Sequence, residues 1–162
     1  MPNHCPVWQK YEFHVLNPFT YTREKLVALG VHVSDDLTLH QFGSLFRENH
    51  SVVILFSHWR KDGIEFSDRL FDSQEIADQI PSDFEGILDL CVCHPTTFVN
   101  LIKKEKPSCL VRFTNRQATP ALWLYFYRAL FQLLHKDTYN YLDALEKTVE
   151  SFLGNNPATQ HR

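Results

Sequence analysis

Two short apolar runs decide the fold, and each ends in a reactive side chain. The first is SVVILFSHW at residues 51–59, and the second is ILDLCVCHP at residues 87–95. Continuous apolar runs of this length, bounded by polar or turn residues, are typical of central strands in a parallel sheet. In open parallel sheets the chemistry lies just beyond the carboxyl ends of such strands. The first run places His58 there and the second places Cys93, a candidate base and a candidate nucleophile.

Strands and helices alternate around these two runs. Asp72 or Ser73, with Glu75 close behind, has the residue types that cap the start of a helix. Spacing and turn signals predict further helices over 22–29, 37–46, 97–104, 119–134 and 141–153. The first of these is expected to end at Gly30, and the last is amphipathic, with one apolar face formed by Leu142, Leu145, Val149 and Phe152. Further strands are predicted over 11–16, 31–33 and 108–113, together with a hairpin over 63–71 that forms an edge rather than a core. The 119–134 helix is apolar on nearly every face, so we expect it to be deeply buried. The alternation indicates an α/β domain with a parallel sheet.

Length and composition exclude several classes of protein. A chain of 162 residues predicts one domain spanning 1–162. A net charge of −3 with scattered basic residues argues against a nucleic-acid partner. We expect neither a membrane span nor a signal peptide, because no apolar run approaches about 20 residues and the first residues lack a basic and hydrophobic leader. The cysteines form no disulfide framework, so we expect reduced thiols and a cytoplasmic protein.

The two strand-end side chains suit acyl transfer on an amide. A cysteine nucleophile must lose its proton, and a neighbouring imidazole can take that proton and later protonate the leaving amine. Backbone amides at the turns leaving the strands can hold the oxyanion. Cys91 and Cys93 share a face because they lie two residues apart. Only Cys93 lies at the carboxyl end, so we assign it as the nucleophile and Cys91 as a core residue.

Two other kinds of site fit the sequence less well. A zinc site would use Cys91, Cys93 and His94, joined by His4 and Cys5. Structural zinc sites usually separate their cysteines by two to four residues in loops, whereas one residue intervenes here inside a predicted strand. A nucleotide-binding fold is disfavoured because the chain has 5 glycines and no glycine-rich phosphate loop.

The order of elements resembles the CHAT domain, a branch of the caspase-like (clan D) cysteine peptidases. In that family one strand ends in a histidine, a hairpin and a helix follow, and a second strand ends in leucine, two small residues and cysteine. The corresponding residues here are His58 and the segment 90–93, which reads LCVC. The resemblance continues over 108–114, 118–134 and 141–147, and it is strongest over 50–153.

This resemblance implies a caspase-like three-layer α/β/α fold with a mostly parallel sheet. It implies a cysteine endopeptidase whose catalytic dyad is His58 and Cys93, with the backbone amides of Trp59 and Cys93 as oxyanion donors and no metal or organic cofactor. The substrate would be a protein or peptide. CHAT-like proteins often act downstream of a sensing partner, and many bacterial members serve stress or antiphage responses. An activating sensor protein is therefore an expected partner.

Acidic residues near the dyad are candidates for the substrate pocket. Asp62 and Glu65 lie in the hairpin that flanks the cleft in the related fold, and Asp89 is a further candidate. An acidic lining would favour a basic residue before the scissile bond. A buried Asp89 would need a partner that the sequence does not identify.

A catalytically inactive pseudo-peptidase is the alternative. Trp59 follows the histidine where the family usually has glycine, and no glycine follows Cys93. A chain with the fold but no turnover would act as a protein-binding or scaffold module.

Overall fold

The computed structural model describes residues 23–34, 36–48, 50–60, 63–114, 120–136 and 138–154. In chain order the elements are α1 (23–28), α2 (Leu39–Leu45), β1 (Val52–Phe56), β2 (Trp59–Arg60), β3 (Gly63–Glu65), β4 (Leu70–Asp72), α3 (Ser73–Ala77), β5 (Ile87–Cys91), α4 (Thr96–Glu105), β6 (Leu110–Phe113), α5 (Pro120–Lys136) and α6 (Tyr141–Gly154). The described residues divide into two compact units, one over 34–114 and one over 23–33 with 120–154. The predicted strand over 11–16 lies outside the described residues, and the single domain over 1–162 stays a prediction.

Three strands of the first unit form a parallel sheet in the order β1-β5-β6. At its carboxyl edge Phe56 pairs with Cys91, and Leu90 pairs with Phe113. Parallel neighbours need crossover connections. The β1–β5 crossover contains three short strands and α3, and the β5–β6 crossover contains α4. This mixed α/β arrangement confirms the predicted class and the strands expected from both apolar runs.

The core of the first unit covers one face of this sheet. Successive strand side chains point to opposite faces, so Val53 and Leu55 share a face, and both are buried. Helices α2, α3 and α4 and the three short strands pack against the same cluster. The buried cluster comprises Leu39, Phe42, Phe46, Val53, Leu55, Ile64, Phe66, Phe71, Ile76, Ala77, Ile80, Phe84, Leu88, Leu90, Val92, Phe98, Val99, Ile102 and Cys109. The carboxyl ends of β1 and β5 therefore lie next to a well-packed hydrophobic core.

The start of α3 has the capping chemistry that the sequence predicts. The Asp72 carboxylate accepts a hydrogen bond from the Glu75 amide at 2.8 Å, and the Glu75 carboxylate accepts one from the Asp72 amide at 3.0 Å. Two backbone donors at the helix start are thus satisfied reciprocally. Arg69 donates to Glu75 at 2.6 Å, and this hydrogen bond lowers the pKa of Glu75.

Strands β2, β3 and β4 form a separate antiparallel sheet. The predicted hairpin is present, but the expectation that it forms an edge rather than a core is wrong. Ile64, Phe66 and Phe71 are all buried in the main cluster, because alternate residues of these short strands face inward. Gly63 allows the strands to approach, since a β-carbon there would lie 2.5 Å from the Phe71 carbonyl oxygen.

In the second unit, α1 ends as predicted at a glycine. Gly30 has φ of 82°, a left-handed conformation that glycine adopts without a steric penalty. The predicted strand over 31–33 is wrong, because these residues have no regular secondary structure. Three residues are too few to establish a strand unless a neighbouring strand pairs with them.

Helix α5 is more amphipathic than the sequence suggests. Phe126, Tyr127 and Leu130 of α5 are buried, but Leu122 and Tyr125 are exposed, so the expected burial on nearly every face is wrong. Trp123 stacks on Tyr127, and Phe126 contacts Phe152 of α6 edge-on. Among the residues that the structure describes, none of the helices combines the length and the apolar character needed to cross a bilayer.

Candidate active site

The register of β1 and β5 brings His58 and Cys93 to the same edge of the sheet. Phe56 pairs with Cys91, and the Ser57 amide donates to the Cys91 carbonyl oxygen at 3.4 Å. His58 and Cys93 each lie two residues beyond the Phe56–Cys91 pair. Adjacent strands are about 4.8 Å apart, so both residues leave the sheet from neighbouring positions. The common edge of the sheet is the one that the sequence predicts, and the catalytic roles of the two side chains stay predictions.

The backbone of His58 is held by the antiparallel sheet. The Glu65 amide donates to the His58 carbonyl oxygen at 2.9 Å. The Ser57 hydroxyl donates to the Glu65 carbonyl oxygen, so consecutive residues of one chain segment are bonded to β3. The His58 side chain is half-buried, and its Nε2 atom is covered from solvent. The backbone that carries the imidazole is therefore held in place by hydrogen bonds to β3.

Cys93 lies in a tight turn between β5 and α4. His94 has φ of 52°, a left-handed conformation that few residues other than glycine adopt, with histidine, asparagine and aspartate the commonest of these. Such a conformation costs on the order of 1–3 kcal/mol and is found most often at functional sites. Pro95 is fully buried, and its carbonyl oxygen accepts a hydrogen bond from the Val99 amide at 2.8 Å in the first turn of α4. The turn is thus held in place where it enters α4.

The cysteines of this unit differ in access to solvent. Cys93 is half-buried, whereas Cys91 and Cys109 are buried, and all three are thiols. Burial raises the pKa of Cys109 to about 11, although a backbone hydrogen bond with Leu88 opposes the shift. A buried thiol in apolar surroundings is a poor nucleophile, because little of it ionises at neutral pH. Exposure therefore favours Cys93 among the three.

Trp59 is the predicted oxyanion donor beside His58. The bond between Glu65 and His58 makes the adjacent Trp59–Ile64 pair a non-hydrogen-bonded pair of the ladder. Residues at such positions direct their amides away from the partner strand, so the Trp59 N–H faces away from β3. The indole packs against the main hydrophobic cluster, as expected for a packing residue. The oxyanion roles of the Trp59 and Cys93 amides stay predictions.

The acidic candidates that the structure describes are both paired with arginines. The Glu65 carboxylate accepts a hydrogen bond from Arg60 Nε at 2.8 Å. Asp89 is fully buried, and Arg112 of the adjacent strand donates to its carboxylate at 2.7 Å. A role in recognising substrate charge would require these pairs to open. Asp62 lies outside the described residues.

The ligand set of the rival zinc interpretation is not assembled in the described part of the chain. Cys91, Cys93 and His94 do not form a group whose ligand atoms are close enough to share a metal ion. Cys91 is buried within β5, whereas His94 is exposed. His4 and Cys5 lie outside the described residues.

A cavity of about 570 Å³ lies at the opposite, amino-terminal edge of the parallel sheet. Phe46 and Phe84 pack edge to face beneath it, and Ser51 and Gly86 mark the entries to β1 and β5. Neither His58 nor Cys93 lines it. The candidate dyad therefore lies at the carboxyl edge, where chemistry is expected in parallel sheets, and not in this cavity.

Comparison with protein-family models, with curated proteins and with solved structures found no match to this chain. The case for His58 and Cys93 as a catalytic pair therefore depends on the strand register and on the resemblance described above. Two groups near the candidate site were not predicted from the sequence. They are the Ser57 hydroxyl, which bonds to β3 beside His58, and the Arg112 guanidinium, which pairs with Asp89. Arg112 could have been found by aligning the two predicted strands, because Asp89 and Arg112 occupy opposite positions. Ser57 had no signal of its own, since serine at a strand end is common.

Proposed function

We propose that this chain is a caspase-like cysteine endopeptidase of the CHAT type, with His58 as the general base and acid and Cys93 as the nucleophile. The observation that carries the proposal is the strand register, which sets both residues two positions beyond the Phe56–Cys91 pair. The half-exposed Cys93 and the left-handed His94 beside it support the same assignment. The finer description of the fold, a three-layer α/β/α caspase-like domain, belongs to this proposal.

The proposed reaction is acyl transfer followed by hydrolysis. His58 takes the proton from Cys93 Sγ as the sulfur attacks the scissile carbonyl carbon, and the oxyanion accepts hydrogen bonds from the Trp59 and Cys93 amides. The C–N bond then breaks, and His58 returns the proton to the departing amine. Water, deprotonated by His58, attacks the thioester and releases the carboxylic acid with the thiol regenerated. The protein supplies the nucleophile, the base and the oxyanion donors, and water is the second reactant.

The test compares alkylation of the cysteines by a chloromethyl ketone peptide at pH 7, quantified by mass spectrometry. We expect selective labelling of Cys93, reduced by about 10²-fold or more in His58→Ala, because an assisting base contributes about that much. Cys91→Ala is the matched control and should label at the wild-type rate. Equal labelling of Cys93 in the wild type and in His58→Ala would contradict the proposal.

The second candidate function is a pseudo-peptidase that binds proteins without cleaving them. Trp59 in place of the family's glycine favours it. Slow labelling distributed over several cysteines, and unchanged by His58→Ala, would support this candidate.

The biological setting of the proposal comes from the resemblance. We propose a small cytoplasmic effector of a bacterial stress or defence response that cleaves a protein or peptide target and is activated by a sensor protein. Incubating the purified chain with candidate sensors and following Cys93 labelling would test the activation step, since an activator should raise the labelling rate.

A further inference from the structure

We infer that Ser57 is a positioning residue, whose hydroxyl sets the distance between the His58 imidazole and the Cys93 thiol. The inference depends on the proposed function, because it describes how the same dyad is held. It concerns a residue that touches neither substrate nor reacting atoms.

Ser57 lies where three strands meet. Its amide donates to the Cys91 carbonyl oxygen at 3.4 Å, which extends the pairing of β1 with β5 by one residue. Its hydroxyl donates to the Glu65 carbonyl oxygen at the end of β3. The next residue, His58, accepts the Glu65 amide at 2.9 Å. Ser57 thus forms hydrogen bonds to both the parallel and the antiparallel sheet, immediately before His58 in the chain.

The hydrogen bond from the Ser57 hydroxyl to Glu65 connects the parallel sheet to the antiparallel sheet. Without it, β3 would still be bonded to the next residues of this segment, through the Glu65 amide to His58 and through the pairing of β2 with β3, but no longer to Ser57. The His58 carbonyl could then move with β3 while Cys93 stays with β5. Proton transfer needs a heavy-atom distance of about 2.6–3.2 Å, and a displacement of about 1 Å can cost about 10²-fold in rate. The loss of one hydroxyl should therefore weaken the coupling of the dyad.

The Ser57 hydroxyl is not itself a nucleophile in this arrangement. Its proton is donated to a backbone carbonyl, and no imidazole is shown to accept it. A structural role alone would change stability, whereas a positioning role changes how strongly Cys93 reactivity depends on His58. The experiment must separate these two effects.

The test measures iodoacetamide alkylation of Cys93 in the intact chain at pH 7 and pH 9. We expect Ser57→Ala to lower the pH 7 rate about 10-fold or more, with a smaller change at pH 9, where a thiol needs less help to ionise. Ser57→Thr restores the hydroxyl and should return the rate to within about twofold. Ser57→Val has the shape of threonine without the hydroxyl and should behave like Ser57→Ala.

Ser44→Ala is the matched control, because the Ser44 hydroxyl also donates to a backbone carbonyl, that of His40 at 3.1 Å. It should leave both rates unchanged. If Ser57→Ala and Ser57→Val keep the wild-type ratio of the pH 7 rate to the pH 9 rate while His58→Ala is still slow, only the positioning role of Ser57 is overturned. If His58→Ala is as fast as the wild type, the proposed function fails as well. If the Ala and Val variants fail to fold while Thr folds, the hydroxyl serves the fold and the inference is overturned.

Discussion

Replacing Arg112 by methionine should destabilise the protein strongly, because it leaves a buried carboxylate without its cation. Asp89 has no exposed surface, and the Arg112 side chain is only 15% exposed. Removing one partner of a buried ion pair typically costs about 3–5 kcal/mol, since the remaining charge stays desolvated. For a chain of this size, that free-energy loss corresponds to a melting temperature lower by about 6–20 °C.

Arg60→Met is the matched control for this experiment. Arg60 and Glu65 are joined at 2.8 Å, almost the same distance as the 2.7 Å between Arg112 and Asp89, but their side chains are 44% and 40% exposed. Exposed pairs contribute at most about 1 kcal/mol. The two variants therefore compare the same chemistry in buried and exposed surroundings.

The assay is urea unfolding at pH 7, followed by tryptophan fluorescence and circular dichroism. Arg112→Met should unfold at much lower urea than the wild type, and Arg60→Met close to the wild type. The double variant Asp89→Leu with Arg112→Met removes both charges and should recover most of the lost free energy of unfolding. Equal midpoints for Arg112→Met and Arg60→Met would refute the reasoning that burial sets the cost.

Three further predictions concern single side chains. Burial raises the pKa of Cys109 to about 11, so its rate of alkylation should increase steeply between pH 8 and 10. Because the Cys109 thiol ionises at lower pH in the unfolded chain, its contribution to the free energy of unfolding is complete below about pH 9 and is lost as the pH approaches 11. Thermal melts across this pH range measure that loss. Asp72→Ala should lower the free energy of unfolding by about 0.5–2 kcal/mol through loss of the α3 cap, and Asp72→Asn, which keeps an acceptor, should lose less. Gly63→Ala should cost about 1–3 kcal/mol, because the added carbon meets the Phe71 carbonyl oxygen, and a melting temperature equal to the wild type would contradict that clash.

Local sequence signals predicted the parts of the fold that local chemistry determines. The apolar runs ending at Phe56 and Cys91 indicated parallel strands, and the reciprocal cap of Asp72 and Glu75 marked the start of α3. Gly30 likewise marked the end of α1. These elements need little information from distant residues. The predicted placement of His58 and Cys93 followed from strand ends for the same reason.

The errors occurred where tertiary contacts decide the outcome. Nothing in the 63–71 segment itself shows that Ile64 and Phe71 enter the main core, because burial depends on the helices packed against them. Leu142 was expected on the buried face of α6, yet it is exposed, while Ala144 and Thr148 are buried. An apolar side chain at helical spacing indicates a helix more reliably than it indicates which face is covered.

The buried pair between β5 and β6 also has a consequence for folding accuracy. Asp89 lies opposite Arg112, and a slip of β6 by one residue would set it beside Val111 or Phe113. The same slip would turn the guanidinium to the other side of the sheet, among aliphatic carbons. A misaligned sheet would thus contain two isolated charges, so this pair favours the correct alignment during assembly.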